Sequence, residues 1–137
     1  MGDGIMAVFP DPVTAITAVR TAREALKNVE VDGYTPTMRV GIHTGRPQRI
    51  GSDWLGVDVN IAVRVMEFAD KDGVLISGAT LERLTSEQLD ELGVQAKRVH
   101  RPMFAHRLLG VPADITYRLE TRRHLPAVNT VQDEPPE

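Results

Sequence analysis

Alternating strand and helix signatures predict one α/β or α+β domain. Three observations carry that expectation. Short apolar runs bounded by turn residues recur at Ile5–Phe9, Met38–His43 and Val74–Ser77. Stretches with apolar residues at helical spacing lie between them. The 137 residues suffice for a core, with no internal repeat and no interdomain linker.

Taken in order, Gly2-Asp3-Gly4 is a tight-turn signal ahead of an apolar strand over Ile5–Phe9. The strand that should pair with it across the turn is missing from the sequence. Either Met1 starts an abbreviated fold, or the chain is a fragment of a longer domain. Asp11-Pro12 then opens a helix, because an aspartate cap and a proline in the first turn suit its free N–H groups. Ala15, Ile16, Val19, Ala22 and Leu26 give that helix an apolar face to about Lys27. Gly33-Tyr34-Thr35-Pro36 breaks the chain before a central strand over Met38–His43, closed by Thr44-Gly45. Arg46–Asp53 reads as a polar loop or short arm.

Gly56 leads into a second helix ending near Ala69. Val57, Val59, Ile61, Ala62, Val63, Val65, Met66 and Phe68 make it apolar almost all round, so burial is expected. Asn60, Arg64 and Glu67 share one stripe of it. Unpaired polar groups are costly to bury, so the stripe needs partners: other protein groups or a polyanionic ligand. Lys71-Asp72-Gly73 is a turn before the strand Val74–Ser77. A helical stretch covers about Ala79–Leu92, with Thr85 and Gln88 set to re-cap it at a kink. Strands are expected at Val94–Arg98, His106–Leu109 and Ile115–Glu120. The domain then spans residues 1–124, and the acidic, proline-rich residues 125–137 read as a disordered tail.

A net charge of −3 argues against nucleic acid or an anionic membrane as the bulk partner. Zero cysteines exclude disulfides and thiolate chemistry. No apolar run approaches the roughly 18 residues of a membrane span, and no signal-peptide pattern opens the chain. A soluble, cytoplasmic protein is the expectation. His43, His100, His106 and His124 lack zinc-site spacing, and no nucleophile elbow is present.

Several residues have both a plain and a chemical reading. Asp3 between glycines is turn chemistry or a Mg²⁺ ligand. Asp53 is a loop residue or cap, or an acceptor for an exocyclic amine such as adenine N6; the guanine carbonyl there would be repelled. Arg64 is ion-paired with Asp58 or Glu67, or reserved for an external anion. Asn60 bonds another helix or orients a ribose. The basic cluster Lys97, Arg98, His100, Arg101, His106 and Arg107 is a solvated face, with one member free to reach a triphosphate. His43, inside a strand, reads as a satisfied structural histidine.

Four segments together resemble the class III adenylate/guanylate cyclase catalytic domain, most closely its bacterial single-domain type. They are G-D-G-I-M-A-V-F at 2–9, G-I-H-T-G at 41–45, D-W-L-G-V-D-V-N-I-A-V-R at 53–64 and G-V-L-I-S at 73–77. Order and approximate spacing match over residues 2 to about 120. The resemblance implies an α+β fold related to ferredoxin-like and palm folds, with a mostly antiparallel sheet, flanking helices and the family's first strand and helix absent. It implies conversion of ATP to cyclic AMP and pyrophosphate at the interface of a head-to-tail homodimer, with two Mg²⁺ or Mn²⁺ ions per site.

By the same resemblance Asp3 is a metal ligand and Asp53 accepts the adenine amine. Asn60 orients the ribose, and Arg64 stabilises the pentavalent phosphorus. The family's first metal aspartate lies on a strand this sequence lacks, and its purine-selecting lysine falls just before the chain begins. Its late triphosphate lysine is replaced around Leu109-Gly110, with Arg107 on the same strand face as the substitute. A non-catalytic dimerisation or nucleotide-binding module and a guanylyl cyclase are the rival readings.

Overall fold

A computed structural model describes residues 4–70, 72–99 and 116–121. Its first regular element is helix α1, Pro12–Leu26. Asp11 caps it as expected: its Oδ1 accepts the Thr14 N–H at 2.8 Å and the Thr14 hydroxyl at 2.9 Å. Ala15 and Ile16 are its buried residues, and Lys27 is the C-cap.

Strand β1 covers Val40–Ile42, inside the longer strand expected there. The polar arm is a hairpin of β2 (Gln48–Ile50) and β3 (Asp53–Leu55), which form their own antiparallel sheet. Arg49 lies opposite Trp54 across it, its guanidinium 5.8 Å from the ring centroid. Helix α2, Val57–Glu67, follows at once. Then come β4 (Val74–Ser77), the short α3 (Gly78–Leu81) and α4 (Ser86–Leu92). The helical stretch therefore divides at Thr85, which forms a full capping box with Gln88. Strands β5 (Val94–Val99) and β6 (Thr116–Thr121) complete the described elements.

The main sheet runs β1-β4-β6-β5, with β1 parallel to β4 and the other two pairings antiparallel. The class is thus α+β with a mixed sheet and flanking helices. β4 is buried at every position, because helices cover both faces of the sheet. Val74 and Ile76 pack with Ala15 and Ile16 of α1, Ile42 and Leu84 on one face. Leu75, on the opposite face by strand alternation, packs with Ile61, Val65 and Ala69 at α2.

Two expectations fail. Ile5–Phe9 is not a strand; Ile5 is 96% exposed, and Met6, Val8 and Phe9 are also exposed. A β-prone run becomes a strand only against a partner that takes its N–H and C=O groups, and no described segment pairs with it. Nor is α2 mostly buried: only Ile61 and Val65 are, while Val57 is 64% and Val63 44% exposed. The sheet covers one side of the helix and nothing described covers the other. The expected strand at His106–Leu109 and the tail from residue 125 lie outside the described residues.

Candidate functional site

Helix α2 sits against β1 and β4, and the sequence holds it there by two means. The first is close backbone approach. A Cβ on Gly41 would lie 2.6 Å from Met66 Cα and 2.7 Å from the Ala62 carbonyl oxygen, so only glycine lets strand and helix meet this closely. The second is a polar chain running from the first turn of α2 into the sheet.

That chain centres on His43, immediately after β1. Its Nε2 lies 2.9 Å from Asp58 Oδ1, and its Nδ1 lies 2.7 Å from Ser77 Oγ at the end of β4. An ionised carboxylate only accepts, which assigns the ring proton to Nε2 and leaves Nδ1 to accept the Ser77 hydroxyl. Ser77 Oγ also accepts the Thr80 N–H at 3.3 Å, capping α3. Thr80 Oγ1 donates to the Ile42 carbonyl at 3.3 Å and sits 3.0 Å from Thr44 Oγ1. Asp58 Oδ2 accepts the Arg46 backbone N–H at 2.9 Å. Gly45 keeps room for this carboxylate, since a Cβ there would overlap it.

The Arg46 N–H first, and the His43 ring N–H second, hold the Asp58 carboxyl below its ordinary range, against the opposing effect of partial burial. Asp58 also stands in the first turn of α2, where negative charge suits the helix dipole. His43 is thus the satisfied histidine expected. Asp58 was one of the two candidate partners for Arg64; it pairs instead with His43. The signal available in the sequence was the pair of glycines four residues apart around a strand end, a mark of close approach.

Ser77, His43 and Asp58 have the connectivity of a hydrolytic triad, but not its geometry. Ser77 is 1% exposed, and its oxygen already caps α3, so no substrate carbonyl reaches it. The chain holds structure together and offers no nucleophile.

The nominated residues lie beyond this anchor. Asn60 is exposed, and its side chain makes no hydrogen bond among the described residues. Arg64 Nη1 meets Glu67 Oε1 at 3.2 Å, with side chains 40% and 47% exposed. A surface pair at this spacing contributes only about 0.5 kcal/mol, so it does not commit Arg64 against a multiply charged anion. Asp53 is exposed on β3, next to Trp54. Asn60 and Arg64 thus share an accessible stripe. Asp3 and Arg107 lie outside the described residues.

No cluster of three or more histidine, aspartate or glutamate side chains stands ready for a metal ion among the described residues. Lys97 of the basic cluster is 61% exposed and pairs with Glu120 at 3.5 Å, as on a solvated face. An open cleft of about 310 Å³ lies between the start of α1 and α4, lined by Asp11, Arg83, Gln88 and Glu91 among others. It contains none of the nominated residues. No described helix is long and apolar enough to cross a membrane.

No protein-family model matches the chain. A Mycobacterium tuberculosis protein named pH-sensitive adenylate cyclase is 33% identical over 84 residues, covering 61% of this chain and 20% of that protein. A Streptomyces griseus adenylate cyclase matches with the same identity and coverage. A third protein with an adenylate cyclase name, from Rhizobium meliloti, is 28% identical over 109 residues, covering 74% of this chain and 19% of its own length. The chain therefore spans about a fifth of the relatives it matches.

Proposed function

We propose that residues 1–124 are the larger part of a class III adenylyl cyclase domain with a ferredoxin-like, palm-related fold. The single observation that carries this is the stripe of Asn60 and Arg64 on α2, accessible and anchored at its base by His43 and Asp58. The similarity to adenylate cyclases supports it. In the reaction, the ribose 3′-oxygen attacks the α-phosphorus of ATP, the bond to the α–β bridging oxygen breaks, and pyrophosphate leaves. The hydroxyl proton passes to solvent. Arg64 turns from Glu67 to the phosphate oxygens, where its fork of donors meets the charge gathering on the pentavalent phosphorus. Asn60 holds the ribose in line, and Asp53 accepts the adenine amine. Arg107 is assigned to the triphosphate.

Of this chain's residues only Asp3 is assigned to the two Mg²⁺ or Mn²⁺ ions, and the described residues supply no further ligand set. The exposed Ile50 and Leu55 of the hairpin, with Val57 and Val63 of α2, favour a second copy of the chain as the cover for this face. A head-to-tail homodimer in the cytoplasm is the assembly this reading requires.

A second reading has its own observation. Arg64 is closed onto Glu67 and no metal ligand set is described, which suits a non-catalytic module that binds nucleotide or dimerises. One assay separates them: the protein is incubated with Mn²⁺-ATP or Mn²⁺-GTP, and cyclic nucleotide is quantified. Cyclic AMP from ATP, lowered at least about a hundredfold by Arg64→Ala with the fold intact, is the expected result. A loss of only a few-fold removes Arg64 from the chemistry. Nucleotide binding without product favours the non-catalytic module, and preference for GTP would show that Asp53 does not select the base.

A further inference from the structure

We propose that His43 and Asp58 are positioning residues that set α2 against the sheet, and so aim Asn60 and Arg64. What those two residues are aimed at rests on the adenylyl cyclase reading; that the chain of bonds does the aiming rests on geometry alone.

A helix lying on a sheet is fixed along one direction by its apolar ridge. It can still slide or roll unless something pins a particular residue. In α2 the ridge is short, since Ile61 and Val65 are its only buried residues. The close approach at Gly41 sets how near the helix lies, but backbone contact carries little information about roll. Asp58 supplies the missing constraint. Both of its oxygens are taken, Oδ1 by His43 and Oδ2 by the Arg46 N–H, each at 2.9 Å. Two bonds to separate groups fix the direction of the carboxylate as well as its position.

His43 is itself immobilised. Its side chain is 7% exposed, and its second nitrogen is held at 2.7 Å by Ser77, which caps α3. The first turn of α2 is therefore referred to the end of β4, the most buried strand described. Asn60 lies two residues beyond Asp58, and Arg64 a further turn along. A roll of α2 would carry both off the reacting atoms, and misplacement of about 1 Å costs on the order of a hundredfold in rate.

The arrangement also explains why the stripe needs an anchor of its own. Gly56 caps α2 without any side-chain hydrogen bond, so the first turn has no local device to hold it. The bonds that make the anchor join residues twelve, fifteen and thirty-four positions apart in sequence.

The test uses the full chain carrying Asp58→Asn, His43→Ala, or both. Asp58→Asn keeps the size of the side chain but turns an N–H₂ toward either the ring N–H or the Arg46 N–H. The expected result is a fall in kcat of about tenfold or more with KM changed less than about threefold. The double variant should be little worse than either single one, as for residues acting through one chain. Amide exchange in residues 57–67 should quicken while residues 12–26 keep their protection. A lowered melting temperature with unchanged kcat in the folded protein would overturn the proposal, leaving the chain merely structural. Should the wild type form no cyclic AMP, the cyclase reading fails, and amide exchange then decides separately. Selective loss of protection in α2 keeps the anchor, and unchanged protection removes it.

Discussion

Helices α1 and α2 lie on opposite faces of one sheet, yet their sequences are used differently. The 15 residues of α1 divide between two faces: Asp11 caps it, Ala15 and Ile16 are buried against β4, Glu24 is exposed, and Arg20 reaches the Leu92 carbonyl. Apart from Arg23 Nε, which is buried without a hydrogen-bond partner among the described residues, the fold accounts for α1. In the 11 residues of α2 the account does not close. Val57 and Val63 are apolar and exposed, while Asn60 has no partner among the described residues. These residues, on an element held closely to the sheet, are the observations on which the proposed site rests.

The comparison breaks first, and most severely, at Ile16. It is 2% exposed within the α1 cluster, so Ile16→Ala should destabilise the protein by about 2–5 kcal/mol. Chemical denaturation measures this directly. A cost below about 1 kcal/mol would mean that α1 is not the principal apolar ridge of the sheet.

Gly41→Ala comes next and acts on the other helix. The added methyl meets the Met66 and Ala62 backbone, which cannot swing aside as a side chain does. About 1–3 kcal/mol of destabilisation is expected, with amide exchange quickened over α2 more than over α1. Equal quickening in the two helices would show that the close approach at Gly41 does not distinguish them.

The same contrast decides what was legible in the sequence. Local chemistry reads well: Asp11-Pro12 gave the start of α1 and Thr85 with Gln88 the re-capping before α4, because caps act within three residues. The arm at 46–53 resisted, because Gln48, Arg49 and Ile50 are all exposed and carry no buried face to set an alternation. Ile5–Phe9 misled because a strand is a property of a pair, and periodicity sees one segment at a time. The apolar wrap of α2 misled in the same way: apolar residues all round a helix do not say which of them a neighbouring segment covers. Asn60 and Arg64 stood out in the sequence as polar residues on an apolar helix. The bond between His43 and Asp58 did not, since a contact between distant positions leaves no spacing to read.

The smallest effect is the most discriminating, and it concerns acid. The Asp58 carboxyl titrates below its ordinary value of 3.8, chiefly through the Arg46 N–H and the His43 ring. Its contribution to stability is therefore complete above that value and is lost as the pH falls through the lower pKa of the folded state. Asp11 is lowered too, by the Thr14 N–H and hydroxyl, so α1 has an acid-sensitive end of its own. The two ends differ in reach. Protonating Asp11 loosens one helix turn, whereas protonating Asp58 releases a helix from a strand, because its partners lie beyond α2. In amide-exchange profiles taken below pH 4, α2 should lose protection along its whole length and α1 only at its first turn. Asp58→Asn should abolish the acid dependence of α2 while leaving that of α1 in place. If the α2 profile of the variant still falls with acid as the wild type does, another group holds the helix, and the difference drawn between the two helices does not rest on Asp58.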